Sequence, residues 1–186
     1  MLQEKLEQFV KIMEKQELED SIQDPKLYHE LFAAYLFLDD LVNARFLWKR
    51  IPVAVKNGNQ ELDHMHKIFL CLNRNDVVEL YKLLDNYKWS KGVVEIMYEL
   101  KEKVRMDTLD LIGHAYTSIF ENVFGEMTSL SKDMIEDTCK RLNWEIQSGS
   151  YPRLIFPKKP VVEKVSALNA EDQLEKLTSI VSFLEN

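Results

Sequence analysis

The spacing of two histidines and an aspartate raises a metal site as the first candidate for chemistry in this chain. His64 and His66 are separated by one residue, and Asp76 follows them. Imidazole nitrogens and carboxylate oxygens are common zinc ligands. The segment ELDHMHKIFLCL has the apolar spacing of a helix, however, and residues i and i+2 of a helix point to different faces. The two histidines therefore cannot share a zinc ion without unwinding the helix, and we expect surface or half-buried histidines.

Nucleophilic catalysis has no better candidate. Cys71 and Cys139 lie far apart among apolar neighbours, which predicts two free buried thiols in a reducing compartment rather than a disulfide. No Gly-x-Ser-x-Gly motif occurs, and the five glycines are isolated, so no phosphate-binding glycine loop is present in the sequence. The sequence supplies no catalytic, cofactor-binding or metal-binding set, and we expect neither an enzyme nor a cofactor.

Composition and charge predict a helical, well-packed protein. The chain is 46% hydrophobic and 30% charged with only 5 Gly and 5 Pro, which favours helices over sheets. Its net charge of −7 makes polyanions poor general partners. The first residues lack the uninterrupted apolar core of a signal peptide, and no stretch has the length of a membrane span, so an intracellular soluble protein with no membrane partner is expected.

The first half of the chain has the periodicity of paired helices. Helices are predicted over residues 2–19, from Pro25 to the turn at Asp39, and from there to Pro52, with KNGN as a loop. The apolar positions of this first helix pair then recur further along the chain. Leu70 and Leu72 repeat Leu36 and Leu38 after 34 positions. After the turns, the offset is 36 positions, and Val77, Leu80, Leu83 and Leu84 repeat Leu41, Ala44, Leu47 and Trp48. A helix–turn–helix unit of about 34 residues is typical of tetratricopeptide-like repeats.

The stretch NARFLWKRIP brings three cations and two aromatic residues into ten positions of an acidic chain. Its repeat-core positions share one helical stripe at i, i+3, i+4 and i+7, namely Ala44, Leu47, Trp48 and Ile51. Arg45, Lys49 and Arg50 fall off that stripe. The cations could form a solvated rim, a protein-binding face or, least in keeping with the net charge, a nucleic-acid contact.

The second half predicts a different module. SKGVVEIMYELKEKVR is one helix, and DTLDLIGHAYTSIF, ENVFGEM and SLSKDMIEDTCKRLN are three more, the last with Ser131 as its N-cap. Two short strands, WEIQ and RLIFP, follow around the turn SGSYP. Three helices and a β-hairpin describe a winged helix. After a linker, QLEKLTSIVSFLEN is an amphipathic helix. The predicted division is 1–105, 106–160 and 161–186.

A winged helix raises nucleic-acid binding as an alternative function. Such a module places its third helix in the major groove, where lysine and arginine contact phosphates. Here the outward face of that helix carries Asp133, Glu136 and Asp137 with a single lysine, Lys140. Carboxylates repel phosphates, so we expect no nucleic-acid partner.

Specific segments of the sequence point to a family. Helical repeats, a winged helix and a terminal helix are the plan of PCI-domain proteins. NARFLWKRIP, AYTSI, the hairpin at Trp144 leading to PKKP, and the ending FLEN closely resemble the subunit-eight family of the COP-nine signalosome, over nearly the whole chain. The linker from Val161 to Asp172 is shorter and poorer in proline than in that family. The related proteasome-lid scaffold subunit is the alternative within this class.

The resemblance implies a non-catalytic scaffold in the cytoplasm and nucleus. That complex removes a ubiquitin-like modifier from cullins, and another of its subunits holds the zinc protease site. The His-x-His motif of that site is followed by a serine, which KIFLCLNRN lacks here. PCI subunits join through their winged helices and gather their C-terminal helices in a bundle. The expected partners are therefore other signalosome subunits, with subunit three as the direct neighbour.

Two sets of side chains are the predicted protein interfaces. A hairpin of few strands leaves unpaired backbone groups at its edge, which places Tyr151, Leu154 and Phe156 near a partner subunit. The tail helix carries one apolar stripe that is expected to join the C-terminal bundle, made of Leu174, Leu177, Ile180, Val181 and Leu184. A helix of this length is marginal alone in water, so we expect it to form only when it is docked.

Overall fold

The computed structural model describes residues 2–19, 25–147 and 152–159, together with residues 174, 177, 178 and 181. Nine helices and three short strands occupy the main part of this described chain. In order they are α1 (Leu2–Glu19), α2 (Pro25–Phe37), α3 (Leu41–Arg50), α4 (Val53–Asn57), α5 (Gln60–Arg74), α6 (Val77–Asp85), α7 (Val94–Ala115), β1 (Ile119–Phe120), α8 (Glu121–Thr128), α9 (Lys132–Arg141), β2 (Glu145–Gln147) and β3 (Leu154–Phe156). The predicted mainly α fold is confirmed.

Helix α2 is the centre of the first half because it is apolar on almost every side. Nine of its residues are buried, from Tyr28 to Phe37, and α1, α3, α5 and α7 all pack against it. Two small residues in the middle of the helix, Ala33 and Ala34, are fully buried and allow neighbouring helices to approach closely. Pro25 begins the helix as predicted, where a missing backbone N–H costs no hydrogen bond.

Two helical hairpins turn by the same local chemistry. Asp39 and Asn75 have positive φ angles of 60° and 55°, and each precedes an aspartate that caps the next helix. Asp40 accepts a hydrogen bond from the backbone N–H of Asn43 at 3.0 Å, and Asp76 accepts one from that of Glu79 at 3.2 Å. The caps satisfy backbone donors that a helix start leaves free. The equivalent turns of α2–α3 and α5–α6 agree with the repeat that the sequence indicates.

Helix α7 runs without a break from Val94 to Ala115, although the sequence predicted two helices there. Its first half packs into a hydrophobic cluster with α1 to α6, through Met97 and Leu100. Its second half packs into another cluster with α8, α9 and the sheet, through Leu109 and Ile112. The predicted boundary between residues 105 and 106 therefore falls inside a helix.

A three-stranded sheet completes the second half, with strand order β1-β3-β2 and antiparallel pairs. Ile119 and Phe120 were predicted to end a helix, but α7 stops at Ala115 and these two residues form β1. Tyr116 is already extended, with φ −106° and ψ 135°, and β1 pairs with β3 instead. Helix, strand, two helices and two strands are the order of a winged-helix module, which extends the predicted hairpin by one strand.

The starts of helices α4 and α9 differ in detail from the predictions. The segment assigned to the loop KNGN begins inside α4, which runs from Val53 to Asn57 after Pro52 as its N-cap. α3 ends at Arg50, before Pro52, and the proline predicted to stop α3 instead stands at the start of the next helix. Ser131 occupies the N-cap of α9 as predicted, but its side chain makes no capping hydrogen bond.

Candidate interaction surfaces

The inner stripe of α3 faces the first hydrophobic cluster. Ala44, Leu47 and Ile51 are buried, and Trp48 is partly buried against the same cluster. The Trp48 indole stacks on the His66 imidazole with ring centroids 4.1 Å apart, and it lies 6.2 Å from the ring of Phe32. The Lys56 ammonium lies over the indole, 4.7 Å from its centroid. Trp48 therefore joins α3 to α2, α4 and α5.

The two histidines of the His-x-His motif make separate contacts. His64 stacks on Tyr87 with centroids 4.4 Å apart, and its Nε2 lies 2.9 Å from the backbone oxygen of Leu83. His66 stacks on Trp48 instead, and burial lowers its pKa more than the nearby Asp63 raises it. Among the described residues, no three metal-ligating side chains come together. The arrangement is one of aromatic packing.

Both cysteines are free thiols, and Cys139 is buried as predicted, whereas Cys71 is only partly buried. Burial, together with smaller contributions from the carboxylates of Glu121 and Glu136, raises the pKa of Cys139 to about 11. Burial also raises the pKa of Cys71. A thiol nucleophile needs the opposite shift, towards the thiolate. The Arg74 guanidinium lowers the pKa of Cys71, but burial outweighs it, so the surroundings of both sulfurs suit packing rather than activation.

The sheet has one face in the core and one face outward. Ile119, Ile146 and Ile155 lie in register across the three strands and pack into the second cluster. Side chains alternate along a strand, so Leu154 and Phe156 point away from that core. Phe120 pairs with Leu154 across β1 and β3 and is 46% exposed, while Phe156 is 39% exposed. We call Phe120, Leu154 and Phe156 the outer sheet face.

The predicted sheet edge needs a correction. Leu154 and Phe156 lie on β3, which is the central strand and is paired on both sides. The outer strands are β1 and β2, so a partner strand would add to one of these rather than to β3. Leu154 and Phe156 are available through their side chains on the outer sheet face. Tyr151, the third residue predicted there, lies outside the described residues.

Arg153 connects the sheet to α8 and α9 through two ion pairs. The Arg153 guanidinium lies 2.9 Å from the Glu136 carboxylate on α9 and 3.4 Å from that of Glu121 on α8. The backbone N–H of Glu121 also donates to the carbonyl of Arg153 at 3.0 Å. These contacts fix the position of β3 relative to α8 and α9, directly beside the outer sheet face.

The outward side of α9, the expected groove-reading helix of a nucleic-acid binder, is acidic. Ile135 and Cys139 are buried, whereas Asp133 and Asp137 are exposed. Lys140, the lysine on this side, lies 3.8 Å from Asp137, and in the wing Lys158 lies 3.4 Å from Glu145. Cations paired in this way offer little to phosphates. The exposed carboxylates of α9 would repel phosphates.

The tail helix is described at only a few positions. Leu174, Leu177 and Val181 are helical and exposed, and the Thr178 hydroxyl donates to the Leu174 carbonyl at 2.8 Å. These three stripe residues are thus not covered by the other residues that the structure describes. Ile180 and Leu184, the other two residues of the predicted stripe, lie outside the described residues. Across the described chain, no helix combines the length and apolar character needed to cross a membrane.

Helical hairpins followed by a winged-helix module define a helical protein of the PCI type. The sequence matches the CSN8/PSMD8/EIF3K family over residues 22–165. It is 34% identical to COP9 signalosome complex subunit 8 of Xenopus laevis, over 93% of this chain and 89% of that protein. For the proteins of the same name from Danio rerio and Drosophila melanogaster, identity is 34% and 31%, over 97% and 98% of their lengths. The chain belongs to the CSN8/PSMD8/EIF3K family.

Several features of these surfaces were not predicted from the sequence. Strand β1 was missed because two residues carry no periodicity and their pairing with β3 is distant in sequence. Phe120 on the outer sheet face was missed with it. The Arg153 contacts were missed because ion pairs between separate elements leave no spacing signal. Only the two residues Ile119 and Phe120, both of a type that favours strands, could have indicated a strand here.

Proposed function

We propose that this chain is a non-catalytic scaffold subunit of a COP9 signalosome and contributes to removal of the ubiquitin-like modifier from cullins by holding other subunits together. The observation that carries the proposal is similarity over nearly the full length of relatives that are all named subunit 8 of that complex. The surroundings of His64, His66 and Cys139 support a role without catalysis, since these side chains are held in packing contacts.

The proposed organisation has three parts, residues 1–105 as helical repeats, 106–160 as the winged-helix module and 161–186 as linker and bundle helix. The outer sheet face is the proposed contact with subunit three, because exposed aromatic side chains favour protein interfaces. The tail stripe is the proposed contact with the C-terminal helices of other subunits. Exposure of Leu174, Leu177 and Val181 supports this role, since an amphipathic helix gains stability when its apolar side is covered.

Co-expression with the other signalosome subunits tests the proposal. A tagged full-length chain should purify with subunit three and the rest of the complex, as identified by mass spectrometry. Cell fractionation should find the tagged chain in both cytoplasm and nucleus. Purification without any signalosome subunit would contradict the proposal. Association with proteasome-lid subunits would favour the alternative, which remains relevant because PSMD8 is part of the same family name.

Substitution on the outer sheet face tests the contact with subunit three. Phe120→Glu combined with Phe156→Glu should remove binding of subunit three while circular dichroism remains that of the wild type. Tyr98→Glu is the matched control, because Tyr98 is an exposed aromatic residue on α7, away from the sheet. If the double variant binds subunit three like the control, the outer sheet face is not the contact.

Truncation tests the tail. A chain ending at residue 169 should keep the fold of residues 1–160 and enter the complex poorly. The substitution Leu174→Asp with Leu177→Asp should have the same effect in a chain of full length. Incorporation of both forms at wild-type level would show that the tail is not an assembly element. Loss of folding in the truncated chain would assign the stripe to this chain's own core.

A further inference from the structure

The outward side of α3 is an uncovered surface that combines apolar and basic groups. Val42, Arg45, Phe46 and Lys49 follow one another at i, i+3, i+4 and i+7, opposite the stripe that faces the core. Val42 is 65% exposed and Phe46 is 50% exposed, and both cations are exposed. We call these four residues the α3 outer stripe. It contains the cations of NARFLWKRIP that packing does not explain.

The cations of α3 differ in whether they have an acidic partner among the described residues. Arg50, the next cation of the helix, forms a two-bonded ion pair with Glu17, at 3.0 Å from Nε and 2.8 Å from a terminal nitrogen. Within the described part of the chain, neither Arg45 nor Lys49 has an ion pair. Among the described residues, the stripe thus sets two cations without an ion pair beside two exposed apolar side chains. Such a surface complements carboxylates that flank an apolar stripe.

We propose that the α3 outer stripe binds an acidic amphipathic helix of a neighbouring subunit, an inference that rests on the proposed function. Phe46 and Val42 would pack on apolar side chains of that helix, while Arg45 and Lys49 pair with glutamates or aspartates on its flanks. Arginine suits this role because its guanidinium can bond both oxygens of one carboxylate. Nucleic acid fits less well, because the net charge of −7 on the chain repels phosphates and two cations release few counterions.

Photo-crosslinking in the assembled complex tests the occupant. The full chain, with benzoylphenylalanine at position 46, is co-expressed with the other subunits, and the crosslinked peptide is identified by mass spectrometry. The control places the same group at position 98, an exposed aromatic position on α7. A crosslink from position 46 to an acidic helical segment of another subunit is expected. A crosslink to this chain's own C-terminal segment, to a second copy or to a segment without net negative charge would overturn the proposal.

Charge reversal supplies the second readout. Arg45→Glu with Lys49→Glu should weaken incorporation by about tenfold or more, because attraction becomes repulsion, and the loss should shrink as salt is raised. Lys88→Glu with Lys91→Glu gives the same change in net charge on exposed loop residues and should leave incorporation unchanged. Phe46→Ala should weaken incorporation by roughly thirtyfold if Phe46 is an anchor. Equal incorporation of the stripe and control variants would overturn the proposal.

Failure of this proposal is distinguishable from failure of the proposed function. If the wild-type chain does not purify with signalosome subunits, the proposed function is wrong and the stripe proposal is lost with it. If the wild type assembles but position 46 gives no crosslink and the stripe variants assemble normally, only the stripe proposal is wrong.

Discussion

Replacing Trp48 with alanine should destabilise the protein without disturbing a surface contact. The indole stacks on His66 at 4.1 Å, approaches Phe32 at 6.2 Å and carries Lys56 over its face at 4.7 Å. Trp48→Ala removes all three contacts and opens a gap between α3 and α5. Truncation of a large aromatic residue in a core costs about 3–5 kcal/mol. Because Trp48 keeps part of its surface in water, we expect the lower end, about 3 kcal/mol.

Phe46→Ala is the matched comparison, because Phe46 is on the same helix but 50% exposed and outside the first cluster. Its truncation should change the free energy of unfolding by no more than about 0.5 kcal/mol. The two substitutions are therefore expected to have opposite effects on stability and on assembly. Trp48→Ala should lower stability and leave assembly largely intact at temperatures where the variant is folded, whereas Phe46→Ala should weaken assembly and leave stability intact.

Urea unfolding followed by circular dichroism measures the difference. With a slope of roughly 2 kcal/mol per molar urea, a loss of about 3 kcal/mol moves the midpoint down by about 1.5 M. The slope should stay constant, since the amount of surface exposed on unfolding changes little. A midpoint for Trp48→Ala within about 0.3 M of the wild type would refute the packing argument. Loss of assembly at unchanged stability would instead make Trp48 a partner contact.

Three further predictions concern groups that the fold encloses. Lys103→Met removes the ammonium that donates to the carbonyl of Phe37 at 2.7 Å, at the end of α2, and should cost about 1–2 kcal/mol in urea unfolding. Burial lowers the pKa of His66 in the folded chain, so below a pH of about 6.5 the unfolded chain binds more protons than the folded chain. The free energy of unfolding should therefore fall as the pH drops through that value. In thermal unfolding scans, the His66→Phe variant should lose less stability between pH 7.5 and 5 than the wild type does. Cys139 is buried with a pKa raised to about 11, so at pH 8 a thiol reagent should label it more slowly than Cys71, and labelling at equal rates would contradict its burial.

Local chemistry made much of the fold predictable. Pro25 and Asp40 act through their own backbone geometry or through a neighbour three residues on, so sequence spacing alone indicates a helix start. The stripe from Ala44 to Ile51 follows from helical periodicity, and its members do face the first cluster. Such signals act within one or two helical turns. A single sequence contains them in full.

The surfaces were harder to predict because they depend on distant pairing. Leu154 and Phe156 were placed near a free edge on the assumption of a two-stranded hairpin. Pairing of Phe120 with Leu154, across more than thirty residues of chain, makes β3 central and turns the exposed feature from an edge into a face. A strand of two residues has too little alternation to predict, and its partner is chosen by tertiary structure. The outer sheet face therefore appears only when the chain is folded.

Helix α7 shows why one continuous helix was predicted as two. Its early buried residues, such as Met97 and Leu100, occupy one side, and its later ones, such as Leu109 and Ile112, occupy a side that is rotated around the axis. The apolar periodicity breaks where the buried side changes, although the helix itself does not. The same helix also carries Arg105, whose Nε donates to the carbonyl of Thr128 at the end of α8 at 3.0 Å. The two hydrophobic clusters thus share one continuous helix, so no irregular linker separates them along the chain.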